Sequence, residues 1–413
     1  MKIISLSHSD SSGGAARAAY RIHKALREHD VDHKLFVRHA AAGHTSAECL
    51  PMNVAAKVFL RAAGVMARLP RRALKTANPI LHSPAIVPTN WSSWLNATDA
   101  DLIHLHWVNH DTVSIADIGR LKKPVVWTLH DMWAFCGAEH VTADYRWRDG
   151  YMAHNRPDHE SGFDLNRWTW RRKLKHWTHP IHIVAPSRWL AECAKQSVLM
   201  HDWPIKVVPN AIDTASWCPA NKVEARQLLH LPPNVPLLLF GAWGGIGEQH
   251  KGFDLLRDAL RQLRGQQPGL ELVVFGQLAP KTPADFGFPV HYMGRFQGDA
   301  KLRLLYSAVD VTIVPSRQEA FGQVASESHA CGTPVVAFNS TGLIDIVDHK
   351  QTGYLAKAFD PEDLASGARW VLADSARHLA LGQAARARAV KLWSYETVAA
   401  QYLSVYRQAI ETS

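Results

Sequence analysis

The chain has few cysteines, no long apolar run and, across one stretch of fifty residues, no acid. Its five cysteines in 413 residues (Cys49, Cys136, Cys193, Cys218 and Cys331) show no CxxC spacing. That excludes a disulfide framework and reads as a reducing, cytoplasmic compartment. No apolar run approaches the ~18 residues a membrane-spanning helix needs. The opening MKIISLSHSD has one lysine and a short apolar patch, so a signal peptide is not expected. Internal repeats and low-complexity tracts are absent. The glycine-rich GGIG (244–247) lacks the GK[ST] ending of a phosphate-binding P-loop. No nucleic-acid reading motif accompanies the net charge of +9, so nucleic acid is not an expected partner.

Where acid is missing tells more than the total. Residues 1–200 carry 26 Lys and Arg against 17 Asp and Glu, while residues 201–413 carry 20 of each. From Cys49 to Thr98 there is no carboxylate at all, yet Lys57, Arg61, Arg68, Arg71, Arg72 and Lys75 fall there. At 100° per residue these six share one helical face, with Val54, Val58, Val65 and Leu69 elsewhere on the wheel. Pro70 divides the stretch into two short helices. A basic amphipathic element over 54–75 reads either as a solvated face or as a surface for anionic lipid or phosphate, hence a cytoplasmic protein peripheral on the inner membrane face.

What is present is alternation. The length suits two domains of roughly 200 residues. β-rich runs at 2–8, 102–108, 124–131 and 181–187 alternate with helical or polar sequence, and after KVVPNAID the rhythm restarts with runs at 235–242, 270–276, 290–296, 309–316 and 333–339. Strand–helix alternation predicts α/β architecture: two doubly wound, parallel-sheet, Rossmann-like domains facing a central cleft, with ligands beyond the carboxyl ends of the strands. The expected boundaries are 1–215, 216–393 and a terminal helix at 394–413. Residues 132–180, rich in Trp, Tyr and Arg, break the rhythm and read as an insertion near the cleft mouth.

The stretch SRQEAFGQVASESHACGTPVVAF (316–338) carries the most chemistry. Directly after a strand, a helix N-terminus offers unpaired N–H groups and a positive dipole end, which suits a diphosphate. Glu319 at the turn and Glu327 two turns further would stand roughly 12 Å apart at 1.5 Å per residue, about the span from sugar to ribose in a nucleotide-sugar. Backbone around Phe321, Gly322 and Gln323 would face the phosphates, with Gly322 permitting close approach.

This stretch resembles the signature of the retaining family 4 glycosyltransferases, enzymes of GT-B architecture, and the resemblance covers nearly the whole chain. GGAARAAYRIHKAL resembles the family's first glycine loop, with Gly13 and Gly14 letting backbone reach the donor phosphates. VVWTLHDMWAF resembles the strand end whose histidine, here His130, faces the reaction centre. HKGFDLL resembles the loop whose lysine, here Lys251, neutralises the diphosphate. The detail of 130–180 resembles the exopolysaccharide and O-antigen branch. Two departures stand out. No arginine precedes Lys251 in GAWGGIGEQHKG, which leaves the phosphates to Lys251 with His250 or Arg295. Of the cysteines that several relatives carry after the His-Asp pair only Cys136 remains, so no zinc site is expected.

Other signals are weaker. Asp99 and Asp101 in DAD read as turn chemistry before a strand. His104 and His106 share one face of a strand and read as packing rather than as metal ligands. The resemblance thus implies a retaining hexosyl transferase with no essential metal or cofactor. Glu327 would sit on the ribose, Glu319 on the donor sugar, Lys251 on the diphosphate and His130 at the reaction centre. GDP- and UDP-sugars are both open as donor, and the acceptor is a saccharide, expected to be lipid-linked. A nucleotide-sugar epimerase or a non-catalytic nucleotide-sugar binding protein are the rival readings.

Overall fold

The computed structural model describes the chain except residues 41–45, 51–62, 65–67, 242–248, 281–284, 297 and 413. It divides into two units: Met1–Ala211 with Val398–Ser413, and Ile212–Thr397.

The first unit is built on β1 (Lys2–Ser9), β2 (Asp32–His39), β3 (Ala47–Cys49), β4 (Leu74–Thr76), β5 (Leu102–Leu105), β6 (Val125–Thr128), β7 (Glu160–Gly162), β8 (His182–Ala185) and β9 (Ile205–Val207). Seven of these form one sheet in the order β3-β2-β1-β5-β6-β8-β9, every pair parallel. The central strands read as unbroken apolar runs because helices cover both faces: Leu102, Ile103, Leu105 and Val126 are fully buried. Helix Gly13–Glu28 follows β1 and packs on it through Ala18, Ala19, Ile22, Ala25 and Leu26, the 3–4 spacing of a one-sided apolar stripe.

The second unit holds β10 (Leu237–Gly241), β11 (Glu271–Phe275), β12 (Val290–Tyr292), β13 (Val311–Val314), β14 (Val335–Phe338) and β15 (Gly353–Ala356), again all parallel, in the order β12-β11-β10-β13-β14-β15. Side chains alternate across the sheet: Leu237 and Leu239 enter one core with Trp217 and Trp393, while Leu238 and Phe240 enter the other with Leu256 and Leu260. In both units the order runs outward in two directions from the first strand. The reversal points, β1/β5 and β10/β13, are where such sheets bind ligands.

Helix Tyr395–Glu411 begins in the second unit and continues into the first. There Tyr402 and Tyr406 are fully buried; Tyr406 Oη meets His104 Nδ1 at 2.8 Å, and Tyr402 Oη meets Thr128 Oγ1 at 2.9 Å. His104 Nε2 closes the set on Thr128 Oγ1 at 2.8 Å. Replacing Tyr406 by Phe leaves a buried ring nitrogen without its partner, a cost of about 1–3 kcal/mol. We expect the melting midpoint of the Tyr406→Phe variant to fall by several degrees in a calorimetric scan.

The stretch 54–75 differs from the expectation. Lys57, Arg61, Val54, Val58 and Val65 lie outside the described residues. Beyond them, Pro70 lies within helix Arg68–Ala73 and does not end it, and residues 65–67 just before that helix lie outside the described residues. Lys75 lies on β4, paired antiparallel with β7, so a strand's geometry and not a helical wheel fixes its direction. Among the described residues no helix is long and apolar enough to cross a membrane. The insertion 132–180 contributes β7, a short helix Arg146–Asp149 and helix Leu165–His176. Its weak periodicity has a physical cause, since several of its buried groups are charged. Arg146 bonds Asp164 at 2.8 Å and lies 3.4 Å from Glu160, and Lys173 is fully buried.

Candidate functional site

In the second unit the loops after β10, β13 and β14 meet at the reversal point. Gly252 has φ +67°, and a Cβ there would stand 1.9 Å from the Pro315 carbonyl oxygen, so only glycine lets these two loops touch. The contact is reinforced twice: Arg317 N donates to His250 O at 2.8 Å, and the Arg317 guanidinium grips Asp254 at 2.6 and 2.7 Å. Lys251 Nζ lies 2.8 Å from Glu319 Oε1, which also accepts from Ser316 Oγ at 2.9 Å. Glu319 N donates to Thr341 Oγ1 at 3.1 Å, and its carbonyl accepts from Gly342 N at 2.9 Å. Gly252→Ala combines left-handed strain with a backbone overlap. We expect about 2–4 kcal/mol of destabilisation, read as a lower urea midpoint, with activity falling alongside because the next residue back is Lys251.

Burial alone would raise the Glu319 carboxyl. The Lys251 ammonium and the Ser316 hydroxyl outweigh it and hold the group below its ordinary value. Burial, helped by Lys251, pushes His250 down to about 4 against the opposing pull of Glu319. This corner is therefore an ionised carboxylate and an ammonium beside a neutral imidazole.

Glu319 does not sit on a helix. The helix covers Gln323–Ala330, and Glu319 lies four residues before it, so the 12 Å axial spacing to Glu327 does not apply. Gly322, with φ +104°, turns the chain into that helix, and a Cβ there would meet Leu343 Cδ2 at 2.8 Å. The Phe321 side chain is a core group, 3% exposed and edge-on to Trp393, so only its backbone is available to a ligand. Gln323 opens the helix and is half-buried. Glu327 is buried at 1% exposure and accepts from Tyr306 Oη at 3.1 Å. The structure thus brings Lys251 and Glu319 into contact and puts Phe321, Gly322, Gln323 and Glu327 on the following turn and helix. Arg295 follows β12, two strands from β10, and its Nε donates to Gly276 O at 3.3 Å.

In the first unit, Gly13 and Gly14 open the helix after β1. Gly13 has φ +88° with open space around it, so conformation rather than crowding calls for glycine there. His130 follows β6. Its Nε2 lies 3.1 Å from His106 Nδ1, and burial pushes its imidazole down to about 4, partly countered by Asp131. Asp131 is fixed from three sides, by Trp107 Nε1 at 2.7 Å, His140 Nδ1 at 2.6 Å and Trp133 N at 2.9 Å. Burial would raise the Asp131 carboxyl, but His140 and these hydrogen bonds bring it below its ordinary value. Among the described residues no group of three or more His, Cys, Asp or Glu side chains could hold a metal ion.

Sequence reading did not find Ser316, Thr341, Arg317, Tyr306 or His140. All but Ser316, which is three residues from Glu319, act through a contact distant along the chain, and a lone Ser or Thr carries no pattern. The left-handed φ of Thr341, +52°, is the sort of local feature that betrays such a residue only once coordinates exist.

Residues 12–216 match the family model described as Glycosyltransferase Family 4, and residues 245–388 match that described as Glycosyl transferases group 1. Over 216 residues the chain is 34% identical to the D-inositol 3-phosphate glycosyltransferase of Segniliparus rotundus, covering 50% of this chain and 47% of that one. The chain spans about half the length of the curated relatives of this name that match at comparable identity. Two solved structures resemble it over their full length. Sucrose-phosphate synthase from Thermosynechococcus elongatus has TM-score 0.66 and 19% identity, covering 100% of both chains. HepE from Anabaena, in complex with UDP, has TM-score 0.66 and 17% identity, covering 99% of this chain and 100% of that one. At such identities the likeness is one of fold.

Proposed function

We infer, because the chain belongs to the group 1 and family 4 glycosyltransferases of GT-B architecture, that it moves a hexosyl group from a nucleotide-sugar to a saccharide acceptor with retention at the anomeric carbon. The single observation that supports this most is the Lys251–Glu319 contact at the β10/β13 reversal point. An ammonium there stabilises the charge that develops on a departing nucleoside diphosphate, which is electrostatic catalysis. Backbone of Gly322 and Gln323, at a helix N-terminus, takes the phosphates. Glu327 holds the ribose hydroxyls, and Glu319 holds the donor sugar and fixes its orientation. His130 is assigned to the reacting sugar or the acceptor. At about 4 it is neutral at working pH and serves as a hydrogen-bonding group rather than a cation. UDP is the first nucleotide to try, since a protein of similar fold was crystallised with it, and GDP is the second. The acceptor is read as lipid-linked, of exopolysaccharide or O-antigen type.

A thermal-shift panel with UDP, GDP and their sugars comes first. At a hundredfold excess over Kd a ligand adds about 2.7 kcal/mol, or roughly 5–10 °C for a unit of this size. Product analysis follows: sugar on an added acceptor supports transfer, while isomerised donor supports an epimerase instead. With His130 titrating near 4, the pH profile of kcat/KM should show no acid limb from this group between pH 6 and 8. A limb there that vanishes in the His130→Gln variant would remove the neutral role.

A further inference from the structure

We propose that His106 is a positioning residue for the reaction: it holds His130 as the Nδ1–H tautomer, so that the ring offers a donor, and never a lone pair, to an oxygen of the sugar or acceptor. His106 follows β5 directly and is pinned at its backbone, its N donating to Leu6 O at 2.9 Å and its carbonyl accepting from Trp127 Nε1 at 3.0 Å. The side chain is 1% exposed, and its Nδ1 lies 3.1 Å from His130 Nε2. Both rings are neutral. Burial pushes His130 down to about 4, and burial with His104 and His130 beside it holds His106 well below its ordinary value. Two neutral imidazoles share one proton in such a contact, and the question is which ring supplies it.

The far side of His106 answers it. Its Nε2 is closed off from water and has no hydrogen-bond partner among the described residues. The imidazoles nearest to it are already engaged. His104, with ring centroids 4.1 Å apart, has Nδ1 on Tyr406 Oη and Nε2 on Thr128 Oγ1. His33 has Nδ1 on His23 and Nε2 on Ser5 Oγ. A proton on His106 Nε2 would be a buried N–H with nothing to donate to, and such orphans are rarer than under-used acceptors. The His106 proton therefore sits on Nδ1 and is donated to His130 Nε2, which leaves His130 its own proton on Nδ1. That nitrogen has no hydrogen-bond partner among the described residues, and the His130 ring is half-buried where His106 is sealed. A ring in this state does not take the proton of an acceptor hydroxyl; it steadies charge on an oxygen by donating to it. The link to a reaction rests on the glycosyl-transfer reading; the tautomer does not.

The test is nuclear magnetic resonance on the full chain with nitrogen-15 histidine, since the nitrogen shift separates a protonated from a bare ring nitrogen. The His130 and His106 signals are those lost in His130→Gln and in His106→Asn. In the parent both rings are expected as Nδ1–H. In His106→Phe, which fills the space without a donor, His130 is expected to move toward Nε2–H, the tautomer a free imidazole favours. There kcat/KM should fall about tenfold, the worth of one hydrogen bond. His106→Asn, whose amide nitrogen reaches the place of Nδ1, is expected to restore Nδ1–H on His130 and most of the rate. A purely structural role would lower the melting point of both variants and leave the tautomer where it was. Nε2–H on His130 in the parent overturns the proposal, and this reading needs no variant to fold. Nδ1–H on His130 that persists in His106→Phe overturns it as well, whatever the rate does. Tautomers as expected without sugar transfer to any acceptor end the glycosyl-transfer reading and leave the hold of His106 on His130 standing.

Discussion

Lys251→Met should lower kcat by about 10²–10³-fold, the loss seen when one preorganised donor to a developing negative charge is removed. The side chain is the ammonium at the tip of the β10 loop, one residue before the glycine that presses on Pro315, and it is anchored on Glu319 at 2.8 Å. It is therefore held in place before any substrate arrives, and a methionine of similar length removes charge without removing bulk. The stability cost should be small, about 1 kcal/mol, because the ammonium is a third exposed and water screens the pair. A second readout follows from Glu319. Its folded value is below the unfolded one, so the group contributes stability above the unfolded value, and that contribution is lost as pH falls through the folded value. Without Lys251, burial dominates and the carboxyl rises, so the acid unfolding midpoint of the variant should move to higher pH. Steady-state kinetics and circular dichroism against pH check both. An unchanged kcat would end the assignment of the ammonium to the leaving group.

Lys173→Met should be the most damaging single change to stability in the first unit, about 3–5 kcal/mol and roughly 10 °C in melting temperature. Lys173 is fully buried, and its Nζ donates to the carbonyls of Trp133, of Cys136 at 3.0 Å and of Gly137 at 2.8 Å, above the face of the Trp133 ring at 3.8 Å. Burial lowers its ammonium from the ordinary lysine range and raises the Glu139 carboxyl, which accepts from Tyr151 Oη. A thioether cannot serve three carbonyls, and it leaves Glu139 without a cation nearby. Those carbonyls belong to the turn that follows His130 and Asp131, in which Cys136 N bonds Met132 O at 3.0 Å. Turnover should therefore fall with stability. Adding Glu139→Gln should recover part of the loss, because the two changes share one network and are not additive. Calorimetric scans of the two single variants and the double variant give the coupling directly.

The α/β class was legible because most strands of these sheets are buried on both faces, and a run such as VPLLLFGA can hardly be anything else. β2 was not, since DHKLFVRH carries charges at its ends and middle; nor was β15, whose glycine and tyrosine give it little apolar character. That Lys251 and Glu319 share one corner could be anticipated from motifs 68 residues apart, but their direct contact could not, since each was expected on a different part of the donor. The groups that hold them could not, because Thr341 and Ser316 speak through single hydrogen bonds. The basic stretch 54–75 misled for a different reason: a helical wheel assumes a helix, and pairing with β7 overrides that assumption at Lys75. Buried Lys173 and Arg146 hid the insertion's core, since periodicity arguments count only apolar residues.

The tail helix has a bearing on synthesis. His104 and Thr128 are translated early, yet the phenols that complete them are residues 402 and 406, on the far side of 186 intervening residues of another unit. A nascent first unit therefore waits on the ribosome with a hole at its centre until nearly the entire message has been read. A chaperone or a protease that recognises half-finished sheets has that whole interval in which to act.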